Sequence, residues 1–116
     1  MAAIFIRHKF KEPKLIDKLW DGKKIGLHYE DIASTNPEDY RTPLGKKKLA
    51  RLQNYCLDGG IVGATYEGKR DKMLVGHIKA GSKIEPLPFL KNDGKRANLK
   101  TVNLVDHREL SIDPFL

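Results

Sequence analysis

Short segments with alternating apolar and polar side chains restrict the fold of this 116-residue chain more than any other feature. Because successive side chains of a β-strand point to opposite faces, such alternation predicts strands with one buried face. Five segments alternate in this way or are rich in β-forming residues, and they cover residues 4–9, 24–29, 61–66, 73–79 and 99–105. The sequence therefore predicts a domain in which short strands dominate.

Two helical patterns interrupt this series of strands. Pro13 suits a first helical turn, the apolar residues within 15–20 fall on one face, and Gly22 follows the last turn. A second helix is predicted to begin at Thr42-Pro43 and to end at Gly59-Gly60. Its buried stripe is expected to consist of Leu49, Leu52 and either Tyr55 or Cys56.

The segments between these elements are predicted to be loops and turns. Residues 30–44 are rich in Asp, Ser, Thr, Asn and Pro, which favours a long surface loop over a regular element. Residues 67–72 join two strand patterns as a hairpin turn. Pro86, Pro88 and the polar run 91–98 predict a further loop.

These patterns together predict an α+β fold. We expect a small, mixed, mostly antiparallel β-barrel of about five or six strands with two or three short helices. The third helix is predicted where Asp106 and Glu109 fit a capping box, and Pro114 would end it. Three glycines interrupt strand patterns, which fits a barrel corner or the close approach of a ligand; they are Gly26, Gly63 and Gly76.

Length and composition favour one domain that covers residues 1–116. No apolar run approaches the ~20 residues that a membrane-spanning helix needs. The first ten residues carry Arg7, His8 and Lys9 after only a few apolar residues, which is unlike a secretory signal, so we expect a cytoplasmic protein. The lone Cys56 excludes an internal disulfide and agrees with a reducing compartment.

The net charge of +7 is spread along the chain. Residues 1–58 contain 12 basic and 8 acidic side chains, and residues 59–116 contain 10 and 7. Such a distribution is typical of a basic surface that binds nucleic acid. Lys46, Lys47 and Lys48 fall at the predicted start of a helix, where positive charge is unfavourable unless an anion such as a phosphate offsets it.

The sequence contains no pattern that predicts a reaction, a metal site or a cofactor site. Its histidines have no metal-binding spacing, and Cys56 falls within an apolar helical stripe, where a buried inert thiol is expected. Glu67-Gly68-Lys69 resembles the end of a metal-dependent nuclease motif, which leaves a small nuclease as a less favoured alternative. We therefore expect a binding module without a cofactor rather than an enzyme.

Aromatic residues interleaved with basic ones predict a site that stacks on bases and holds phosphates. Tyr29 and Tyr40 bracket the long loop and are predicted to face each other across a pocket, with His28 and Asp31 as hydrogen-bonding groups. Trp20 is a further base-binding candidate, although its apolar helical stripe favours the core. The candidates for contacts with the nucleic-acid backbone are Arg41, Lys46, Lys47, Lys48, Lys69, Arg70 and Lys72.

The order of the elements resembles the PUA-like superfamily, in particular its EVE and YTH-type domains. The residues that carry this resemblance are 24–29 (KIGLHY), 59–66 (GGIVGATY), 73–79 (MLVGHIK) and 101–110 (TVNLVDHREL). Related domains form the amino-terminal DNA-recognition part of McrB-type modification-dependent restriction proteins.

The resemblance implies a domain that binds double-stranded DNA, including methylated DNA, and accepts a flipped modified base in an aromatic pocket. It places Tyr29, His28 and Tyr40 nearest that base, and it implies further domains or subunits of a restriction or defence system as partners. An RNA-binding module of the EVE or YTH type is the alternative within the same resemblance, and a protein-interaction domain is an alternative outside it.

Overall fold

Seven strands and two helices make up the part of the chain that the computed structural model describes, residues 2–69 and 71–112. The elements in chain order are β1 (Ala2–His8), α1 (Pro13–Gly22), β2 (Lys24–Leu27), a short 3-10 helix (Pro37–Asp39), α2 (Pro43–Asp58), β3 (Gly60–Tyr66), β4 (Lys72–Ile78), β5 (Glu85–Leu90), β6 (Arg96–Asn103) and β7 (Val105–Ser111). The predicted α+β class is confirmed, as are both main helices.

The strands form two sheets with the orders β1-β3-β4-β7 and β2-β6-β5. Of the five strand pairs in the described residues, β1–β3 is parallel and the other four are antiparallel, so the mostly antiparallel arrangement is also confirmed. The chain passes from one sheet to the other at Leu104, which is buried between β6 and β7 and whose backbone N–H donates to the Lys23 carbonyl. No closed barrel is found within the described residues, which form two sheets.

The core lies between the two sheets and the helices. Leu15, Ile16, Leu19 and Trp20 of α1 are all buried, as the helical spacing predicts. They pack with apolar side chains from both sheets, among them Ile25, Val62, Leu74 and Leu99.

His8 connects the two sheets through its imidazole ring. The Gly26 backbone N–H on β2 donates to His8 Nε2 at 3.1 Å, so this nitrogen must be unprotonated. His8 Nδ1 then carries the proton and donates to the Thr65 carbonyl on β3 at 3.0 Å. The ring also stacks on Tyr66, with centroids 4.4 Å apart. Burial of the ring lowers the pKa of His8 to about 4.

The start of α2 already has an anion beside it. The Glu30 carboxylate accepts hydrogen bonds from the backbone N–H groups of Arg41 and Thr42 and from the Thr42 hydroxyl. The Thr42 hydroxyl in turn caps the helix by accepting from the Gly45 N–H at 3.1 Å. These hydrogen bonds lower the pKa of Glu30. Glu30 thus supplies the negative charge that the sequence led us to expect from a bound phosphate.

Two regions differ from the prediction. In each of them, pairing with a neighbouring strand outweighs the local sequence pattern that predicted a loop or a helix. Pro86 and Pro88 lie in strand β5 rather than in a loop, because β5 is an edge strand that pairs only with β6. Residues from Val105 onward form strand β7 rather than the predicted capped helix, because they complete the sheet beside β4. Pro114 lies outside the described residues.

Candidate functional site

The predicted pocket between Tyr29 and Tyr40 is filled. Tyr40 is 3% exposed, and its hydroxyl donates to the Ser34 carbonyl at 3.0 Å. The space that remains among Tyr29, Tyr40 and Lys100 amounts to about 10 Å³, which is too small for a base. Tyr40 is therefore part of the core, where burial raises its pKa to about 12.

Lys100 is the side chain that fills this space. It lies on β6 and is 2% exposed, and its ammonium group donates to the carbonyls of Glu30 at 2.6 Å and Asn98 at 3.0 Å. The same ammonium lies 5.1 Å from the centre of the Tyr40 ring. Burial lowers the pKa of Lys100, and the carboxylates of Asp31 and Glu30 oppose that effect. The lysine holds the loop after β2 in place.

His28 and Asp31 belong to a network that leaves neither of them directed at a pocket beside Tyr40. His28 Nε2 donates to one oxygen of Asp31 at 2.8 Å, and Lys91 donates to the other at 2.7 Å. The Asn98 amide donates to the Asp31 carbonyl at 3.1 Å, and the His28 ring packs edge-on against Phe89. Hydrogen bonds from Lys91 and His28 lower the pKa of Asp31.

Trp20 is also a core residue, with 7% of its surface exposed. Its ring packs edge-on against Tyr66, and the Lys23 ammonium lies 4.5 Å from its centre. Of the five predicted base-binding residues, only Tyr29 is both exposed, at 39%, and in contact with an open cleft.

That cleft, of about 290 Å³, lies along strand β1. Its walls come from β1, from the end of β2 with the loop behind it, and from α2. Among the described strands β1 pairs only with β3, so the cleft runs beside the edge of the sheet that this ladder leaves free. The floor is apolar and consists of Ile4, Ile6, Leu27 and Leu52.

Three aromatic and three cationic residues line the cleft around this floor, and none of its lining residues in the described part of the chain is an Asp or Glu. The six residues are Phe5, Tyr29 and Tyr55, and Arg7, Lys48 and Arg51. Phe5 is 55% exposed, and the Arg7 guanidinium lies 5.7 Å from the centre of its ring. None of the three cations forms an ion pair with another described residue. We call these six residues the aromatic–basic cleft.

The α-helical repeat explains which lysines reach this cleft. Lys48, Arg51 and Tyr55 are spaced by three and four residues and so lie on one side of α2. They flank the buried stripe formed by Gly45, Leu49, Leu52 and Cys56. Lys47 is exposed, and Lys46 lies on the other flank of that stripe. The three consecutive lysines therefore do not form one patch.

The remaining predicted backbone contacts do not line the cleft. Arg41 is exposed beside the start of α2, where its backbone is bound to Glu30. The Lys69 ammonium is 3.7 Å from the Asp17 carboxylate, and the Lys72 ammonium is 3.9 Å from that of Glu109. Arg70 lies outside the described residues.

Four of the six cleft residues were not predicted as site residues from the sequence, and one of them, Tyr55, was considered for the buried stripe of α2 instead. Phe5 and Arg7 alternate with Ile4 and Ile6 on β1, so their outward direction was predictable. Arg51 follows Lys48 by three residues on α2, which is also a readable signal. Neither pattern predicts that β1 and α2 lie side by side, because that contact depends on the tertiary structure.

The described part of the chain gives little support for a metal site, for the nuclease motif at Glu67 or for a reactive thiol. No group of three or more His, Cys, Asp or Glu side chains there is placed to hold a metal ion. Glu67 lies in the turn between β3 and β4. Cys56 is buried, and burial raises the pKa of its thiol. Among the described residues, no helix has the length and apolar character needed to cross a bilayer.

No family model matches the sequence, and no curated protein or solved structure is significantly similar to it. The function is therefore argued from the geometry and chemistry of the aromatic–basic cleft.

Proposed function

We propose that this protein binds nucleic acid through the aromatic–basic cleft. The observation that carries the proposal is that three aromatic and three cationic residues line one cleft with an apolar floor, and that no Asp or Glu of the described residues lines it. Aromatic faces stack on bases, and cations beside them contact the phosphates. The net charge of +7 attracts a polyanion over longer distances.

The size of the cleft favours one base over a larger ligand. Pockets that enclose drug-sized molecules usually measure roughly 300–1,000 Å³, and this cleft is at the lower end with about 290 Å³. A single base would enter between Tyr29 and Tyr55, where stacking contributes about 1–3 kcal/mol per base. Lys48 and Arg51, which lie on the same side of α2, would hold the neighbouring phosphates.

We further propose double-stranded DNA with a modified base as the target, as in the PUA-like domains that the sequence resembles. Extrusion of a base from a duplex costs a few kcal/mol, which stacking in the cleft and contacts with phosphates can offset. In that role the protein would direct a restriction or defence complex to modified DNA.

Fluorescence anisotropy with labelled oligonucleotides at fixed salt tests this proposal. The panel contains unmodified, 5-methylcytosine, 5-hydroxymethylcytosine and N6-methyladenine DNA duplexes, the matched RNA duplex and the matched single strands. We expect tightest binding to one modified DNA duplex. Tyr29→Ala and Tyr55→Ala should each weaken that binding by about 1–3 kcal/mol.

Leu57→Ala is the matched control, because Leu57 is exposed on the same helix but does not line the cleft. It should bind like the wild type. Equal affinity of the wild type and both tyrosine variants would refute the proposed site. Preference for the RNA duplex would favour the RNA-binding alternative.

A further inference from the structure

The four-stranded sheet has an apolar outer face that nothing in the described chain covers. Four of the nine exposed large apolar side chains of the described residues lie on this face: Phe5, Ile61, Val105 and Leu110. The strand register brings them together, since it aligns Ala3 with Ile61, Ile61 with His77, and His77 with Val105. Met73 and Val75 fill the middle of the face.

Alternation along the strands confirms that these side chains share one side of the sheet. Val62, Ala64, Leu74 and Ile78 lie between them in sequence and are buried on the opposite side. Gly63 lies at the centre of the outer face, where the Phe5 ring rests close to it. The result is a face on which His77 lies between Ile61 and Val105 and most other positions are apolar, and exposed apolar surface of this kind is typical of an interaction site.

The charges on this face specify the partner. Arg7 pairs with Thr65 across β1 and β3, and Arg108 pairs with Val75 across β4 and β7. No Asp or Glu occurs among the ladder positions on this face. A second copy of the chain, itself carrying +7, would bring like charges together in a symmetric contact. A partner with carboxylates at these two places would instead pair with both arginines.

We infer that the outer sheet face binds a partner protein whose contact surface has an apolar centre and acidic side chains opposite Arg7 and Arg108. The surface adjoins the aromatic–basic cleft, because Phe5 and Arg7 belong to both. A protein bound to this face would lie next to the ligand of the aromatic–basic cleft. The inference does not depend on the cleft's binding nucleic acid.

Photocrosslinking in the cells that make the protein tests this inference. The photoreactive amino acid p-benzoylphenylalanine replaces Ile61 in one variant and Leu57, which is exposed on α2, in the control. We expect the variant at position 61, and not the one at position 57, to crosslink to a protein that mass spectrometry identifies. No product above the control, or products that contain only nucleic acid or a second copy of the chain, would overturn the inference.

Direct binding to the purified crosslinked protein then tests the stated chemistry. The double variant Val105→Ser/Leu110→Ser should weaken this binding by about tenfold or more. Arg108→Glu should weaken it to a similar extent, and changing the facing acidic residue of the partner to Arg should restore it. If Arg108→Glu leaves the affinity unchanged, the partner does not have the acidic surface that we infer.

Two comparisons separate this result from the proposed function. Tyr55→Ala should leave the affinity for the partner protein unchanged, because Tyr55 does not lie on the sheet. Val105→Ser/Leu110→Ser should leave nucleic-acid binding unchanged, because neither residue lines the cleft. Circular dichroism during heating checks that both variants fold.

Discussion

At the scale of single residues, burial decides which polar groups serve the fold and which face solvent. His8 and Lys100 are both almost fully buried, and each satisfies backbone groups from separate segments. Tyr40 has the residue type expected of a base-binding site, yet its hydroxyl and ring face only protein groups. Tyr29, eleven residues earlier, is exposed beside the cleft. Residue type alone does not separate these roles.

The neutral state of His8 predicts a loss of stability in mild acid. The pKa of His8 is lowered from 6.5 to about 4 by burial, so the unfolded chain binds a proton in this range while the folded protein does not. Stability is therefore fully present above pH 6.5. As the pH falls toward 4, the free energy of unfolding should decrease by roughly 1.4 kcal/mol per pH unit.

Urea denaturation at a series of pH values measures this effect. His8→Gln removes the titrating group and should flatten the dependence, even though it lowers stability overall. His107→Gln, at an exposed position, should keep the wild-type slope. The pKa values of Glu30 and Asp31 are lowered, so these carboxylates lose their contribution at still lower pH. Parallel curves for the wild type and His8→Gln would contradict the assignment.

At the scale of elements, close packing explains Gly26 and Gly76, two of the three glycines that interrupt the strands. A Cβ atom at Gly26 would lie 2.5 Å from Leu99 Cδ2 and 2.9 Å from Leu99 Cγ. At Gly76 it would approach the Val105 carbonyl oxygen to 3.1 Å, beside the bulge between β4 and β7. Neither position lines the aromatic–basic cleft. These glycines serve contacts between elements rather than the approach of a ligand.

Gly26→Ala and Gly63→Ala should differ in their effect on the free energy of unfolding. Leu99 is fully buried and cannot move away, so Gly26→Ala should destabilise the protein by about 1–3 kcal/mol. At Gly63 the nearest atom to a new Cβ is Phe5 Cδ2 at 3.4 Å, an ordinary contact with an exposed ring. Gly63→Ala should therefore be neutral or slightly stabilising. Urea denaturation compares the two, and an equal loss in both would refute this packing argument.

At the scale of the whole molecule, the position of the charges matters more than their number. The net charge of +7 is spread along the chain, but among the cations of the described residues only Arg7, Lys48 and Arg51 line the cleft. Lys46 and Lys47 add to the long-range field without contacting the same ligand. Nucleic-acid affinity should therefore respond differently to charge removed inside and outside the cleft.

The double variants Lys48→Gln/Arg51→Gln and Lys47→Gln/Lys79→Gln test this with the same change in net charge. Each cleft cation that contacts a phosphate should contribute about 1 to the slope of log K against log salt concentration. The cleft variant should therefore lower the slope by about 2, while the control, which alters two exposed lysines, changes it little. Anisotropy titrations from low to high salt measure both slopes, and equal slopes would place the phosphate contacts elsewhere.

The sequence by itself determined the elements whose local signals and burial agree. Alternation located β1, β2 and β4, the content of β-forming residues located β3, and helical periodicity with Pro13 and Thr42 located α1 and α2. It also determined the basic character of the surface. These features depend on the spacing of side chains along one segment, which a sequence records directly.

Only the tertiary structure decided how the segments pair and which side chains meet. Pairing with β4 made a strand of the predicted terminal helix, and the edge position of β5 allowed its prolines. Lys100 filled the predicted pocket, while the approach of β1 to α2 opened the aromatic–basic cleft elsewhere. Such contacts join residues far apart in the chain, and their energies depend on packing that no local pattern encodes.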